Sequence, residues 1–294
     1  RGHNYFLEVA KSPYVDFVRA PTRYDQRQPG FADGIMQLED TYTLRKKLVY
    51  IEQDFRSWTG SCQGIYGSTS TVAESISNLN RAFGMMLAQG VSHYWIDFGQ
   101  WMEEKVLLDL VRKQDEIYAG LPPVRGLTPR EVCLVHDGRS AYYIRSIGDG
   151  LFTAAVRPLM MTFNENAMPY YNLTVPDLLQ EGLVPPCKFY IVTSSLVLSR
   201  EERERLMTRF EREKTTVLWL YAPGVFYPGQ SPKAANVADF LGISCRLDEA
   251  KGQPTMKLDP ELGVASAQNY NSIAPWFYPV GGYEKVLGRN AADG

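Results

Sequence analysis

Apolar positions in the first 130 residues follow two alternating rhythms. Short continuous runs occur at Val15–Ala20, stopped by Pro21, at Lys47–Ile51 and at His93–Phe98. Between the last two, Ile76, Leu79, Phe83, Met86 and Leu87 recur at helical spacing. Thr69, Ser70 and Thr71 are candidate caps for that helix, and Thr71, with Glu74 three residues on, has capping-box spacing. Val106, Leu107, Leu110 and Val111 form a second stripe running to Ile117. Strands alternating with helices predict parallel βα units. The near-continuous apolar runs predict strands buried on both faces.

Leu121-Pro122-Pro123 and Gly126 read as a linker, after which a second series begins. Val132–Val135 and Lys188–Val192 are predicted strands, the latter bounded upstream by Pro185-Pro186. Ser199 and Glu202 form a capping box for a charged helix, Glu201–Lys214, whose core stripe is Leu206 and Phe210. Thr216–Tyr221 reads as a buried strand closed by Pro223-Gly224, and a helix from Lys233 to Leu241 follows. This succession is a flavodoxin-like open-sheet pattern. From Cys245 onward the chain is rich in Pro and Asn, with short β patterns. The mixed charges of Arg200–Lys214 read as a solvated helix face.

Composition narrows the function. The 294 residues are 45% hydrophobic and 22% charged, with a formal net charge of -2, which excludes a disordered chain and argues against a nucleic-acid binder. No apolar run approaches the roughly 20 residues of a bilayer span, so no membrane partner is expected. Cys62, Cys133, Cys187 and Cys245 form no CxxC pair, and His3, His93 and His136 are far apart, so neither a metal site nor a cofactor is expected. Cys133 and Cys187 sit beside apolar runs and are expected to be buried thiols. The triplet Asn172-Leu173-Thr174 is a formal glycosylation sequon that carries no weight. The chain opens on Arg-Gly-His-Asn and closes on Ala-Ala-Asp-Gly, which reads as a piece of a longer protein and leaves its compartment open.

In parallel α/β folds, chemistry collects at the carboxyl ends of the strands. Glu52 directly follows a buried run, in Tyr50-Ile51-Glu52-Gln53-Asp54-Phe55-Arg56. An acid there is desolvated, paired or functional. Arg56 is close enough to pair with one of the two acids, as an ordinary ion pair or in support of catalysis. The next strand ends in Trp95-Ile96-Asp97-Phe98 with Trp101, and the first ends near Tyr24, Asp25 and Arg27. Aromatics stack on sugar faces, while carboxylates and arginines bind hydroxyls. Together the three strand ends point to a polar, sugar-like ligand, with Glu52 expected in a cleft beside Trp95, Asp97 and Tyr24.

The run Ser12–Phe17, then Ala20-Pro21 with Tyr24 and Arg27, then Lys47 leading into Ile51–Arg56, resembles the second half of a (β/α)8 TIM barrel. It is similar to β-galactosidase-type glycoside hydrolases related to family 42. Residues from 131 to 250, and Leu218–Gly224 most specifically, resemble the class I glutamine-amidotransferase-like module that follows such barrels and is associated with trimer formation. The resemblance implies an α/β chain in three parts. Residues 1–125 would be the C-terminal part of the barrel, 126–255 a flavodoxin-like trimerisation-type domain, and 256–294 a β-rich extension. It implies that Glu52 is the nucleophile of a retaining hydrolase and that Tyr24, Arg27, Arg56, Trp95, Asp97 and Trp101 bind substrate. Arg56 and Arg27 would hold Glu52 ionised. The acid/base partner would lie outside this chain, because such barrels carry it on an earlier strand. Carbohydrate and further copies of the chain are the expected partners. The aromatic clusters Val225–Pro228 and Trp276–Tyr278 are candidate interface patches. Amidotransferase chemistry is not expected, because Thr193-Ser194-Ser195 offers no Cys and His136 comes too early. The competing reading is a non-catalytic carbohydrate-binding or assembly module on the same fold.

Overall fold

The computed structural model describes residues 6–24, 26–59, 67–97, 99–122, 129–143 and 156–248, together with strand backbone at 255–258, 268–269, 276–279 and 288–290. The chain divides into two compact units, residues 1–130 with 160–169, and residues 131–159 with 170–294. Cys62, His3, Asp25 and Phe98 lie outside the described residues.

In the first unit, helices α1 (Phe6–Lys11) and α2 (Glu39–Thr43) accompany strands β1 (Phe17–Pro21), β2 (Leu48–Gln53) and β3 (Ser92–Trp95). The strands run parallel in the order β1-β2-β3, with Pro21 level with Glu52 and Glu52 level with Tyr94. Helices α3 (Val72–Gln89) and α4 (Lys105–Gly120) follow β2 and β3. Thr71 Oγ1 accepts the Glu74 N–H at 3.2 Å, and Glu74 reaches back to the Ser70 N–H, so the helix starts where the sequence places it. Gly90, at φ 64°, closes α3 in the left-handed conformation that a side chain would disfavour.

The strands of this unit are not buried on both faces. Val49 and Ile51 pack with Tyr42, Met86 and Val91 on the helix side. On the other side Phe17 is 56% and Leu48 57% exposed. Alternation therefore decides each residue's environment. The third strand is also shorter than the apolar run. After Trp95 the chain turns, and Asp97 Oδ1 accepts the Met102 N–H at 3.2 Å.

The second unit carries a four-stranded parallel sheet of β4 (Val132–His136), β5 (Tyr170–Thr174), β6 (Phe189–Val192) and β7 (Thr216–Trp219), in the order β5-β4-β6-β7. Helix α5 (Arg157–Glu165) leads into residues 160–169 of the first unit, and α6 (Val175–Leu179), α7 (Arg200–Glu213) and α8 (Ala234–Leu241) belong to the second. The capping box at Ser199 and Glu202 is formed. Leu206 and Phe210 are buried, and the rings of Tyr190, Phe210, Trp219 and Phe240 meet in sequence in tilted or edge-to-face contacts with centroids 5.0 to 6.0 Å apart. Beyond these, β8 (Cys245–Asp248) and β9 (Thr255–Leu258) pair with short strands at Trp276–Pro279, Gln268–Asn269 and Gly288–Asn290. The side chains of Trp276–Tyr278 lie outside the described residues.

Two readings of the second unit change, and the sequon's lack of weight is explained. The charged helix α7 is not solvated all round. Arg203 and Arg209 are buried, Arg203 donating to Leu198 O, Gly224 O and Asn236 O, and Arg209 to Leu178 O and Val184 O. A guanidinium carries five donors, so these side chains satisfy loop carbonyls that would otherwise be buried unpaired. The cluster Val225–Pro228 packs inward. Val225 is buried, Phe226 lies against Tyr143 at 5.0 Å, and Tyr227 lies under the Arg203 guanidinium at 4.0 Å. Asn172 of the sequon is 1% exposed on β5 and bonded to His136, inaccessible to a glycan. Cys133 and Cys187 are buried, as their apolar surroundings predict.

Among the described residues, no helix is long and apolar enough to cross a membrane, and no cluster of His, Cys, Asp or Glu is arranged to hold a metal ion.

Candidate active site

β2 alternates strictly. Val49, Ile51 and Gln53 face the helices, while Leu48, Tyr50 and Glu52 face the other way. The parallel register sets Arg19 beside Tyr50, and Pro21 and Tyr94 on either side of Glu52. The Tyr94 hydroxyl donates to Glu52 Oε2 at 2.5 Å. Arg19 Nη1 donates to the Tyr94 hydroxyl at 3.0 Å and lies 3.8 Å from the same carboxylate oxygen. Burial, and then the Glu52 carboxylate, raise the Tyr94 phenol above its ordinary pKa, against the opposing effect of Arg19. Tyr94 is therefore a protonated donor at neutral pH. A partly exposed carboxylate at a strand end, held by a phenol and backed by a cation, can act as a nucleophile or an oriented acceptor.

The arginines expected at Glu52 lie elsewhere. Arg27 Nη1 pairs with Asp54 Oδ2, and Arg56 donates to both Asp54 oxygens at 3.3 and 3.1 Å. β2 ends at Gln53, so alternation lapses and the Asp54 carboxylate turns inward, where it is 4% exposed. Two arginines, Arg27 buried and Arg56 partly exposed, thus hold the buried Asp54 carboxylate and stiffen the end of β2. Arg27 also holds Thr22 O at 3.0 Å, and Asn78 and Arg81 hold Arg27 O at 3.2 and 3.0 Å, which fixes the loop after β1 against α3.

The remaining predicted site residues scatter. Tyr24 is exposed and stacks under the Arg27 guanidinium at 4.0 Å. Trp95 is level with Gln53 in the register and packs behind the sheet, in edge contact with Phe55 and Trp101. Trp101 is fully buried and donates to Ile96 O at 2.9 Å, so it fills the core of this unit and presents no face to a sugar. Asp97 is exposed and caps the turn at Trp101–Glu103. Arg19 and Tyr94, which the sequence reading passed over, are the actual partners of Glu52. Period-2 counting along β1 and β3 marks their faces, but only the register puts them beside this acid.

No protein-family model and no curated protein matches the chain. Solved structures do. It is similar to Gan42B, a GH42 beta-galactosidase, with 11% identity, a TM-score of 0.54, and coverage of 93% of this chain and 42% of that one. A catalytic mutant of Gan42B from G. stearothermophilus gives a TM-score of 0.55 at the same identity and coverage. The chain shares an α/β fold with GH42 beta-galactosidases. It spans 42% of the length of those GH42 structures.

Proposed function

We propose that this chain is part of a retaining, β-galactosidase-like glycoside hydrolase in which Glu52 is the nucleophile. The observation that supports this best is the Arg19–Tyr94–Glu52 row at the carboxyl end of the central strand of the first unit, in a chain with a GH42-like fold. Residues 1–125 belong to a (β/α)8 catalytic domain, 126–255 to a flavodoxin-like domain that assembles the protein as a trimer, and 256–294 to a β-rich extension. Glu52 attacks the anomeric carbon of a terminal β-linked sugar and forms a glycosyl-enzyme. Tyr94 occupies Oε2 with its hydrogen bond and so turns Oε1 toward the sugar. When the intermediate forms, the carboxylate charge vanishes and the Tyr94 bond weakens, which favours return of the carboxylate as a leaving group. The acid/base carboxylate, roughly 5–5.5 Å from Glu52 in a retaining site, comes from outside this chain. Tyr24 and Asp97, both exposed, are the best placed of the predicted residues to meet substrate.

The second reading, a non-catalytic carbohydrate-binding or assembly module, draws on one observation. On the face that carries Glu52, the residues of β1, β2 and β3 in register with it include no second carboxylate. A 2-deoxy-2-fluoro-β-galactoside with a good leaving group separates the two. Incubated with the longer protein that contains this chain, it should label the peptide carrying Glu52 at one site per chain. Turnover of an aryl β-galactoside without such labelling would remove Glu52 from the nucleophile's role. Neither turnover nor labelling would favour the module.

A further inference from the structure

Arg19, Tyr94 and Glu52 stand on three neighbouring strands, and chemistry fixes the direction of the two hydrogen bonds that join them. A guanidinium carries donors and no acceptor, so at 3.0 Å the Tyr94 oxygen can only accept from Arg19 Nη1. The single phenolic proton is then left for Glu52 Oε2, 2.5 Å away. Arg19 Nη1 stands 3.8 Å from that carboxylate oxygen, beyond hydrogen-bond range, so its hydrogen-bonded route to Glu52 runs through the phenol. Hydrogen bonds in a chain polarise one another, and a cation at the head of this chain makes Tyr94 a stronger donor. The Arg19 side chain is 66% exposed, so little of the fold depends on it.

The two steps of the proposed reaction use this donor differently. Glu52 enters the first step as a full carboxylate and loses charge on the way to the glycosyl-enzyme. A donor on Oε2 therefore stabilises the starting state at least as much as the transition state. In the second step water attacks the anomeric carbon, and its proton passes to the acid/base carboxylate supplied from outside this chain. The bond from that carbon to Glu52 Oε1 breaks, and its electron pair returns to the carboxylate. Charge now grows on Glu52, so a donor on Oε2 binds the transition state more tightly than the intermediate. Only interactions of that kind accelerate a step.

We propose that Arg19 is a positioning residue that, through Tyr94, speeds release of Glu52 from the glycosyl-enzyme; this rests on the reading of Glu52 as the nucleophile. The test uses the longer protein that contains this chain. With 2,4-dinitrophenyl β-galactoside, breakdown of the intermediate limits kcat, while kcat/KM on phenyl β-galactoside reports its formation. Arg19→Met should lower kcat on the first about tenfold, with KM falling in parallel, and leave kcat/KM on the second within about twofold. Arg19→Lys, which keeps a cation and a donor, should restore most of the loss. Tyr94→Phe already cuts the chain, so adding Arg19→Met to it should change kcat by less than about twofold. Arg19→Gln makes the same measurements if Arg19→Met does not fold. An unchanged kcat, equal losses in kcat and kcat/KM, or losses that multiply in the double variant would overturn the proposal and leave Glu52 as the nucleophile. Fluorosugar labelling of another residue, or no turnover of either galactoside by the unaltered protein, would remove the underlying reading and this inference with it.

Discussion

Acidification should destabilise the second unit through one side chain, His136. It closes β4 at 3% exposure, with Nε2 at 2.6 Å from Asn172 Oδ1 and Nδ1 at 3.1 Å from Thr193 Oγ1. Nε2–H donates to Asn172 Oδ1, while the Thr193 hydroxyl lies within 3.1 Å of both Nδ1 and the Val135 carbonyl, so among the described residues the ring is held without any neighbouring carboxylate to stabilise a charge. Burial pushes its pKa from 6.5 down to about 4, with the Asn172 bond opposing. The folded state therefore binds the proton less readily than the unfolded chain. The stability of neutral His136 is complete above pH 6.5, is lost as pH falls from 6.5 to 4, and is constant below that with respect to this group. At about 1.4 kcal/mol per pKa unit, the loss is about 3 kcal/mol. Urea unfolding followed by tryptophan fluorescence at half-unit steps between pH 7.5 and 4.5 measures it. The comparison is His136→Gln, which keeps a hydrogen-bonding side chain and removes the titration. The slope of stability against pH should be shallower in the variant by that amount over the window. Equal slopes would refute the argument and leave acid sensitivity to the carboxylates and to His93, whose pKa burial also lowers to about 4.

Other consequences follow from the first unit. Tyr94→Phe removes the hydroxyl between Arg19 and Glu52 and, under the proposed function, should lower kcat of the longer protein roughly 10–100-fold with little change in Tm, as befits a positioning residue; steady-state kinetics on an aryl β-galactoside and a melting curve read both. Glu52→Gln should lose several powers of ten in kcat while retaining sugar binding in a competition assay. Asp54→Asn leaves the buried Arg27 with a neutral partner and should cost on the order of 3–5 kcal/mol in denaturant unfolding. Trp101→Ala, at a position with no exposed surface, should cost about 3–5 kcal/mol by the same assay, with no separate effect on KM in whatever fraction stays folded.

The features legible in the sequence are those that a few neighbouring residues decide. Thr71 with Glu74 and Ser199 with Glu202 start helices because cap and partner lie three residues apart on one turn. The apolar runs at β4 and β6 become strands because continuous burial is itself a local pattern. Glu52 stands out because an acid ending such a run must be accommodated. What sits around it was decided only by tertiary structure. Arg19 and Tyr94 are 75 residues apart, and the parallel register alone makes them neighbours of one carboxylate. Arg56, four residues from Glu52, turns to Asp54, because the strand ends and sequence proximity no longer means a shared face. β5 escaped notice because Asn172 interrupts its apolar pattern, and that asparagine is tolerable in the core only when His136 arrives beside it. Arg203 and Arg209 look solvated for the same reason in reverse, since a charge is read as exposed until the carbonyls that receive it are known. Caps and periodicities are short-range and written along the chain; partners for buried polar groups are long-range, and folding alone supplies them.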